Sequence, residues 1–499
     1  MYARKTLLIM VTLLISNFFG YLSWYFVTNN LPNVYVGSVG FAISFLGIAG
    51  IVTDLGLSSA HIKRVSEGKD LAKCIGTYAV IRLSLLILFI VIAFIAIMGY
   101  NRLDQDDDLD QRLLMIMIIW SVLSNITAIV TNTFIGKQQI AKAQIVVLVS
   151  AIIQALITIV VVTSTNDLYL YALTYVAGGI VSLATAAVLF RNFKIGRPSV
   201  ELAKSYFKYA LPLMFVVSAT PLVLYLDKVM IDFFLDEVGV SLYLNAQKFS
   251  GLPESLAGSV MTVLFPAFSS LVAAGSIGEI RKSTWKAERF LSMALIPAAL
   301  ILISVSEPFI IIFSDISYMD SAPVFSILMG WVIFRGLSKP YATHFGGFNK
   351  PVYSLYLSIV YIPLNIILNL LFIPESIFGI GLLGMGIQGA ALASLISAIV
   401  YYFMIRFLSY RLVRMGVNTR VIRHIVAGGI VSCVLYLFRF NIYEFTRFYE
   451  LIAAFALGML AYTGILFLFG EFGRKEIDFA LDTLNPRKGV GYVMDEARR

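Results

Sequence analysis

Runs of roughly 20 apolar residues, each long enough to cross a ~30 Å hydrocarbon core, recur from one end of this chain to the other. They cover residues 6–28, 36–60, 74–99, 113–136, 143–163, 168–190, 209–233, 239–265, 290–312, 322–345, 353–373, 387–407, 424–440 and 449–470. Charged residues make up 13% of the 499, against about 25% in soluble domains. No segment is polar enough to fold as a soluble domain. The expected class is an all-α integral membrane protein with about 14 transmembrane helices. The first run follows Arg4 and Lys5 but ends in Tyr21, Trp24, Tyr25 and Phe26. It is too long and too aromatic for a signal peptide and reads as a retained helix.

The charges obey a rule. With both termini and alternate connections assigned to one face, that face holds 29 of the 38 basic residues. The opposite face holds Arg102, Arg112, Arg439 and Arg447, and 13 acidic residues, five of them between Asp104 and Asp110. The positive-inside rule assigns the basic face, and both ends of the chain, to the cytoplasmic side of a cell membrane. The formal charge of +9 is spread over short loops, so no nucleic-acid partner is expected. Cys74 and Cys433 imply no disulfide framework. His61, His344 and His424 stand on separate segments and offer no metal cluster. No P-loop pattern occurs and no cofactor is expected. The longest loop is expected near Ala267 to Arg289, and a short amphipathic helix is expected around Lys475 to Leu484.

The basic stretch 191–208 divides six helices from the next six, and both halves open alike. Val36-Gly37-Ser38-Val39-Gly40-Phe41-Ala42 parallels Val238-Gly239-Val240-Ser241-Leu242-Tyr243-Leu244. Six-plus-six repeats of one orientation are related by an axis along the membrane normal. The expected boundaries are 1–195 and 196–410 for the two lobes, 411–470 for two added helices, and 471–499 for a cytoplasmic tail.

Several ordered stretches carry a family likeness: Thr53-Asp54-Leu55-Gly56-Leu57, Tyr209-Ala210-Leu211-Pro212, Leu226-Asp227-Lys228-Val229-Met230-Ile231, and Tyr243-Leu244-Asn245-Ala246-Gln247-Lys248. Leu364-Asn365-Ile366-Ile367-Leu368-Asn369 then leads through Ile373-Pro374 to Gly386-Ile387-Gln388-Gly389-Ala390-Ala391. The sequence resembles the polysaccharide-biosynthesis (O-antigen) flippases, relatives of the multidrug (MATE) exporters and the lipid II flippase. The resemblance implies two six-helix lobes around a central cavity. It also implies transfer of an isoprenoid-linked saccharide from the inner to the outer leaflet, with membrane lipid, and a glycan polymerase or glycosyltransferases, as partners.

Ionisable residues inside spans cost about 2.5–3.5 kcal/mol each on insertion scales and mark cavities or pairs. Trp331, Arg335 and Lys339 recur at i, i+4 and i+8 and form one stripe suited to a phosphate beside a sugar or isoprenoid. Asp227 and Lys248 lie at similar depths and are expected to form an interhelical ion pair. Lys228 serves the cavity or neutralises Asp227. Arg82 is a further candidate phosphate contact, and Glu254 a candidate partner for a second-lobe cation. Asp54, Asp232 and Glu307, near span ends, are expected to reach water.

Two other functions compete. A cation-coupled multidrug exporter commonly carries an acid in its first helix, and Thr6 to Thr28 has none. A membrane glycosyltransferase or polymerase would use an Asp-x-Asp element such as Asp104-Gln105-Asp106, but usually carries a large outer domain. The favoured reading is a transporter and not an enzyme.

Overall fold

Lipid offers no partner to a backbone N–H or C=O, so a chain of apolar runs must satisfy them within helices. The computed structural model describes residues 2–103, 110–254, 276–348 and 351–472. Its elements are α1 (Tyr2–Asn30), α2 (Asn33–Gly50), α3 (Leu57–Ser66), α4 (Leu71–Leu103), α5 (Gln111–Gly136), α6 (Ile140–Ser164), α7 (Leu168–Phe190) and α8 (Val200–Phe234). Then come α9 (237–254 as described), α10 (Ile277–Ser304), α11 (Ser306–Phe313), α12 (Ser321–Gly347), α13 (Pro351–Phe372), α14 (Gly386–Val413), α15 (Arg420–Asn441) and α16 (Phe448–Leu468). Twelve helices among the described residues are long and apolar enough to span a membrane. The other two expected spans fall on α8 and on α9, whose continuation lies outside the described residues.

The first lobe is built by α1 on α6, α6 on α7, and α5 on α7 and α3. The second is built by α12 on α10 and α14, and α13 on α14 and α8. α15 and α16 pack on α10, as an addition to the second lobe. Without a hydrophobic drive between helices in lipid, close backbone approach supplies the cohesion. Gly37 of α2 is the tightest such point. A Cβ there would lie 1.8 Å from the Glu237 carbonyl oxygen at the start of α9.

Three expected boundaries are corrected. The run 36–60 is not one helix: it breaks at a 3-10 turn, Ile51–Thr53, and Gly56 takes φ +78° before α3 begins. Glycine occupies this left-handed conformation without a Cβ clash. The run 290–312 divides at Val305, because Pro308 four residues beyond Ser304 cannot continue the hydrogen-bond ladder. The basic connections are shorter than expected, since α8 begins at Val200 behind the Ser199 N-cap and α10 begins at Ile277. Both starts are amphipathic and basic, so hydropathy alone reads them as loop. The Lys475–Leu484 helix and Asp104-Gln105-Asp106 lie outside the described residues.

Candidate functional site

A cavity of about 360 Å³ opens between the lobes. α1, α6 and α7 line its first-lobe wall with Ser16, Ser23, Trp24, Gln154, Thr158 and Tyr175. α8 and α9 supply Lys228 and Lys248 to the opposite wall. Lys228 is 5% exposed and donates to Gln247 Oε1 at 2.9 Å. Lys248 Nζ stands 5.8 Å from the Tyr21 ring centre and 5.6 Å from that of Trp24. Neither ammonium has a carboxylate within ion-pair distance among the described residues.

The expected Asp227–Lys248 pair is therefore corrected. Asp227 is fully buried and accepts from Tyr243 Oη (2.8 Å), Asn369 Nδ2 (2.7 Å) and Ser394 Oγ (2.6 Å). Tyr243 is the α9 residue that faces Asp227. Lys248, five residues on, points about 140° away round the helix and meets α1 instead. Helix rise brings the two residues to comparable depths, but azimuth decides contact. Asn369 Oδ1 has no hydrogen-bond partner among the described residues. Asp227, Asn369 and Ser394 thus form an oxygen cluster whose chemistry suits a proton or a small hard cation.

Arg335 lies on α12, one turn from the buried Trp331. Its guanidinium donates to Thr220 Oγ1 at 2.7 Å and sits 5.4–5.8 Å from the rings of Trp331, Tyr361 and Tyr401. Its Nε has no hydrogen-bond partner among the described residues. Lys339 pairs with Glu254 at 3.7 Å, and donates to the Glu254 carbonyl at 3.2 Å. At ~1.5 Å per residue, Lys228, Lys248, Arg335 and Lys339 stand about 9, 17, 21 and 27 Å from the helix ends nearest the acidic connections. They form a descending series on the second lobe.

Arg82 leaves the site. It is 6% exposed, donates to the Thr53 carbonyl at 2.7 Å and pairs with Asp54 Oδ1 at 3.1 Å. The break after α2 exposes a carbonyl and a carboxylate there, and Arg82 satisfies both. Asp54 is accordingly paired and also accepts from the Ser58 backbone at 2.9 Å. Glu307 pairs with Arg439, and Asp232 accepts from Tyr100 Oη at 3.0 Å; these two also have protein partners. Sequence reasoning missed Tyr21, Trp24, Ser16, Ser23 and Tyr175. Tyr21 and Trp24 gave a signal, aromatics well inside an apolar run, but they read equally as an interfacial belt.

The lobes meet above the cavity. Trp24 Nε1 donates to Asn245 Oδ1 at 2.8 Å, and Asn33 Nδ2 to the Ser317 carbonyl at 3.1 Å. With the Gly37–Glu237 approach, these contacts close the acidic face. A second space, about 1120 Å³, lies on the other side of α1. Phe18 and Leu22 of α1, Phe249 and Leu252 of α9, Phe309 of α11 and Phe448 of α16 line it. Tyr21 Oη donates to the Lys248 carbonyl at 3.1 Å across the α1–α9 seam that divides the polar cavity from this apolar groove.

The sequence profile described as "Polysaccharide biosynthesis protein" matches residues 2–272, more than half of the chain. The chain belongs to the polysaccharide biosynthesis protein family. A relative within reach of this family member is the probable low-salt glycan biosynthesis flippase Agl15 of Haloferax volcanii. It is 23% identical over 473 residues, which span 92% of this chain and 95% of the relative. Among solved structures, the lipid II flippase MurJ in an inward closed conformation superposes with a TM-score of 0.74 at 17% identity, over 93% of this chain and 98% of that one. An inward-facing multidrug resistance MATE transporter of the MOP superfamily gives 0.63 at 14% identity, over 81% and 96%. At these identities the two structures establish the fold alone, which with twelve apolar helices among the described residues is that of a multi-pass membrane protein of MurJ/MATE-like architecture.

Proposed function

We propose that this protein is a flippase that carries an isoprenoid-linked saccharide from the cytoplasmic to the outer leaflet by alternating access. The observation that carries the reading is a cavity with two unlike walls beside an apolar groove. Hydroxyl, amide and aromatic groups face inward from the first lobe, and two ammonium groups without carboxylate partners face them from the second. Sugar hydroxyls lose several kcal/mol each in hydrocarbon if unpaired, and a bare phosphate far more. The first wall answers the hydroxyls and the second answers the phosphate. The apolar groove across α1 suits the isoprenoid tail, which never needs to leave an apolar environment.

Lys339 and Arg335 stand toward the basic face and receive the phosphate first; Lys248 and Lys228 hold it deeper in the cavity. Trp331 and the other rings around Arg335 present the guanidinium as a planar fork for phosphate oxygens. Glu254 keeps Lys339 compensated while the site is empty. A membrane potential negative inside favours outward movement of the anion by ~2.3 kcal/mol per charge per 100 mV. The termini and the basic stretches 191–208 and 409–423 are cytoplasmic in this reading, the membrane is the cell membrane, and the lobes divide near residue 195. A glycan polymerase or glycosyltransferases are the functional partners, and the protein itself transports without making or breaking a bond. The curated relative is itself named a flippase, which agrees with this reading.

The test is reconstitution into vesicles with a fluorescent prenyl-diphosphate saccharide. The flippase reading expects the label to become accessible to an impermeant quencher on the far side. A vesicle that moves a cationic drug but leaves the saccharide in place would favour the multidrug alternative.

A further inference from the structure

We infer that the protein has a second anion site, outside the transport cavity, that holds the head group of an anionic membrane phospholipid. It is a pocket of about 480 Å³ on the basic face, between the first turns of α10 and the loop from α14 to α15. Lys282, Trp285, Lys286, Arg289, Asn418 and Arg420 line it. The inference does not rest on the proposed transport function.

The pocket is preformed. Arg281 Nε donates to the Val413 carbonyl at 2.5 Å, Arg406 Nη2 to the Gly416 carbonyl at 3.3 Å, and Asn418 Nδ2 to the Trp285 carbonyl at 3.4 Å. These bonds fix the loop on α10. The far wall is fixed by Glu471, just past α16, which is 2% exposed. It accepts from Arg289 Nε at 2.6 Å and pairs with Arg420 at 3.5 Å and Arg423 at 3.4 Å. Among the described residues, the lining cations Lys282, Lys286, Arg289 and Arg420 thus face two carboxylates, Glu471 and Glu279, the latter paired with Lys282. Lys286 has no hydrogen-bond or ion-pair partner among the described residues. An unneutralised, partly enclosed cationic pocket is complementary to a phosphodiester.

The occupant is a lipid because the pocket continues into the membrane surface. Lys282, Lys286 and Phe290 recur every fourth residue, so one stripe of α10 runs from ammonium to exposed aromatic ring. Phe290 is 51% exposed, and Ile422 on α15 is 57% exposed. Trp285 is also exposed at the rim, the usual place for an indole at a membrane interface. A free phosphate would use only the upper half of this stripe, whereas a phospholipid would use both: head group on the cations, acyl chains along Phe290 and Ile422. Basic pockets between membrane helices are established head-group receptors.

Native mass spectrometry of the full-length protein in detergent tests this, with phosphatidylglycerol and phosphatidylcholine as probes. The expected result is preferential retention of phosphatidylglycerol. The charge reversal Lys282→Glu with Lys286→Glu should lower that retention about tenfold, while the reversal Lys204→Glu with Lys208→Glu, elsewhere on the basic face, should not. Lys286→Gln removes no protein contact and should lower retention by itself; it serves if the double reversal does not fold. Excess inorganic phosphate should leave the bound lipid in place. Unchanged retention in Lys286→Gln, equal retention of the two lipids, or displacement by inorganic phosphate would each overturn the assignment.

Discussion

The two walls of the cavity solve different problems with different chemistry. In the first lobe the one deep cation, Arg82, is spent on the break after α2, held by Asp54 and a backbone carbonyl. What that lobe offers the cavity is neutral: Ser16, Ser23, Gln154 and Tyr175. In the second lobe Lys228, Lys248 and Arg335 form no ion pair among the described residues and meet Gln247, Trp24 and Thr220 instead. In the proposed reading the first wall serves hydroxyl groups and the second serves negative charge. A buried charge without a partner destabilises a protein, so cations kept in that state point to a ligand that compensates them.

The sharpest way to break this comparison is to remove both cavity ammonium groups. Lys228→Gln with Lys248→Gln should lower saccharide export by a hundredfold or more, since charge-assisted hydrogen bonds contribute about 1.5–3 kcal/mol each. The same variant should melt no lower than the parent, because neither lysine forms an ion pair among the described residues. Export and thermal stability measured on one preparation check both halves. A loss of stability equal to the loss of export would mean that the lysines are structural.

Arg335→Ala comes next, with an expected fall in export of about 10- to 100-fold at normal abundance. Arg335→Lys should recover little, because a point charge does not replace a planar fork among three rings. Near-full export by the lysine variant, measured in the same cells, would reduce Arg335 to a generic positive charge.

Asp227 separates packing from charge within the second lobe. Asp227→Ala strands the Tyr243, Asn369 and Ser394 donors and should cost about 1–3 kcal/mol for each group left unsatisfied, read as lost abundance. Asp227→Asn keeps an acceptor and should restore abundance while transport stays reduced, if the carboxylate takes up a proton or cation. Full transport by Asp227→Asn would make the residue purely architectural. The smallest effects belong to the first lobe. Gln154→Leu should cost export only a few fold, about one neutral hydrogen bond, whereas Arg82→Ala should lower abundance and leave transport per molecule near normal.

The spans were legible because lipid sets both a length and a composition, and twelve helices among the described residues are long and apolar enough to cross a membrane. The breaks at 51–56 and at Val305 were less so. A 3-10 turn inside an apolar run leaves hydropathy unchanged, although Gly56 and Pro308 were visible as local signals. The basic starts of α8 and α10 looked like loops because their charged faces lower the local average. Of the site, the neighbours of Lys248 did not follow from counting residues along α9. Spacing along α9 gives the angle from Tyr243 to Lys248, not which of them turns toward Asp227. That choice belongs to the packing of α8, α9, α13 and α14 together, which no single span encodes. The aromatic surroundings of Arg335 come from α13 and α14 and were invisible for the same reason.

The central claim is that second-lobe cations recognise phosphate while the first lobe recognises sugar. Its most direct test is the affinity of the purified protein for a prenyl-diphosphate saccharide against the matched neutral prenyl saccharide, before and after Lys248→Gln. The parent should prefer the diphosphate by roughly 100-fold, from two charge-assisted contacts. Lys248→Gln should shrink that preference about tenfold and leave binding of the neutral compound unchanged. Equal affinity of the parent for the two compounds, or an equal loss for both in the variant, would contradict the account.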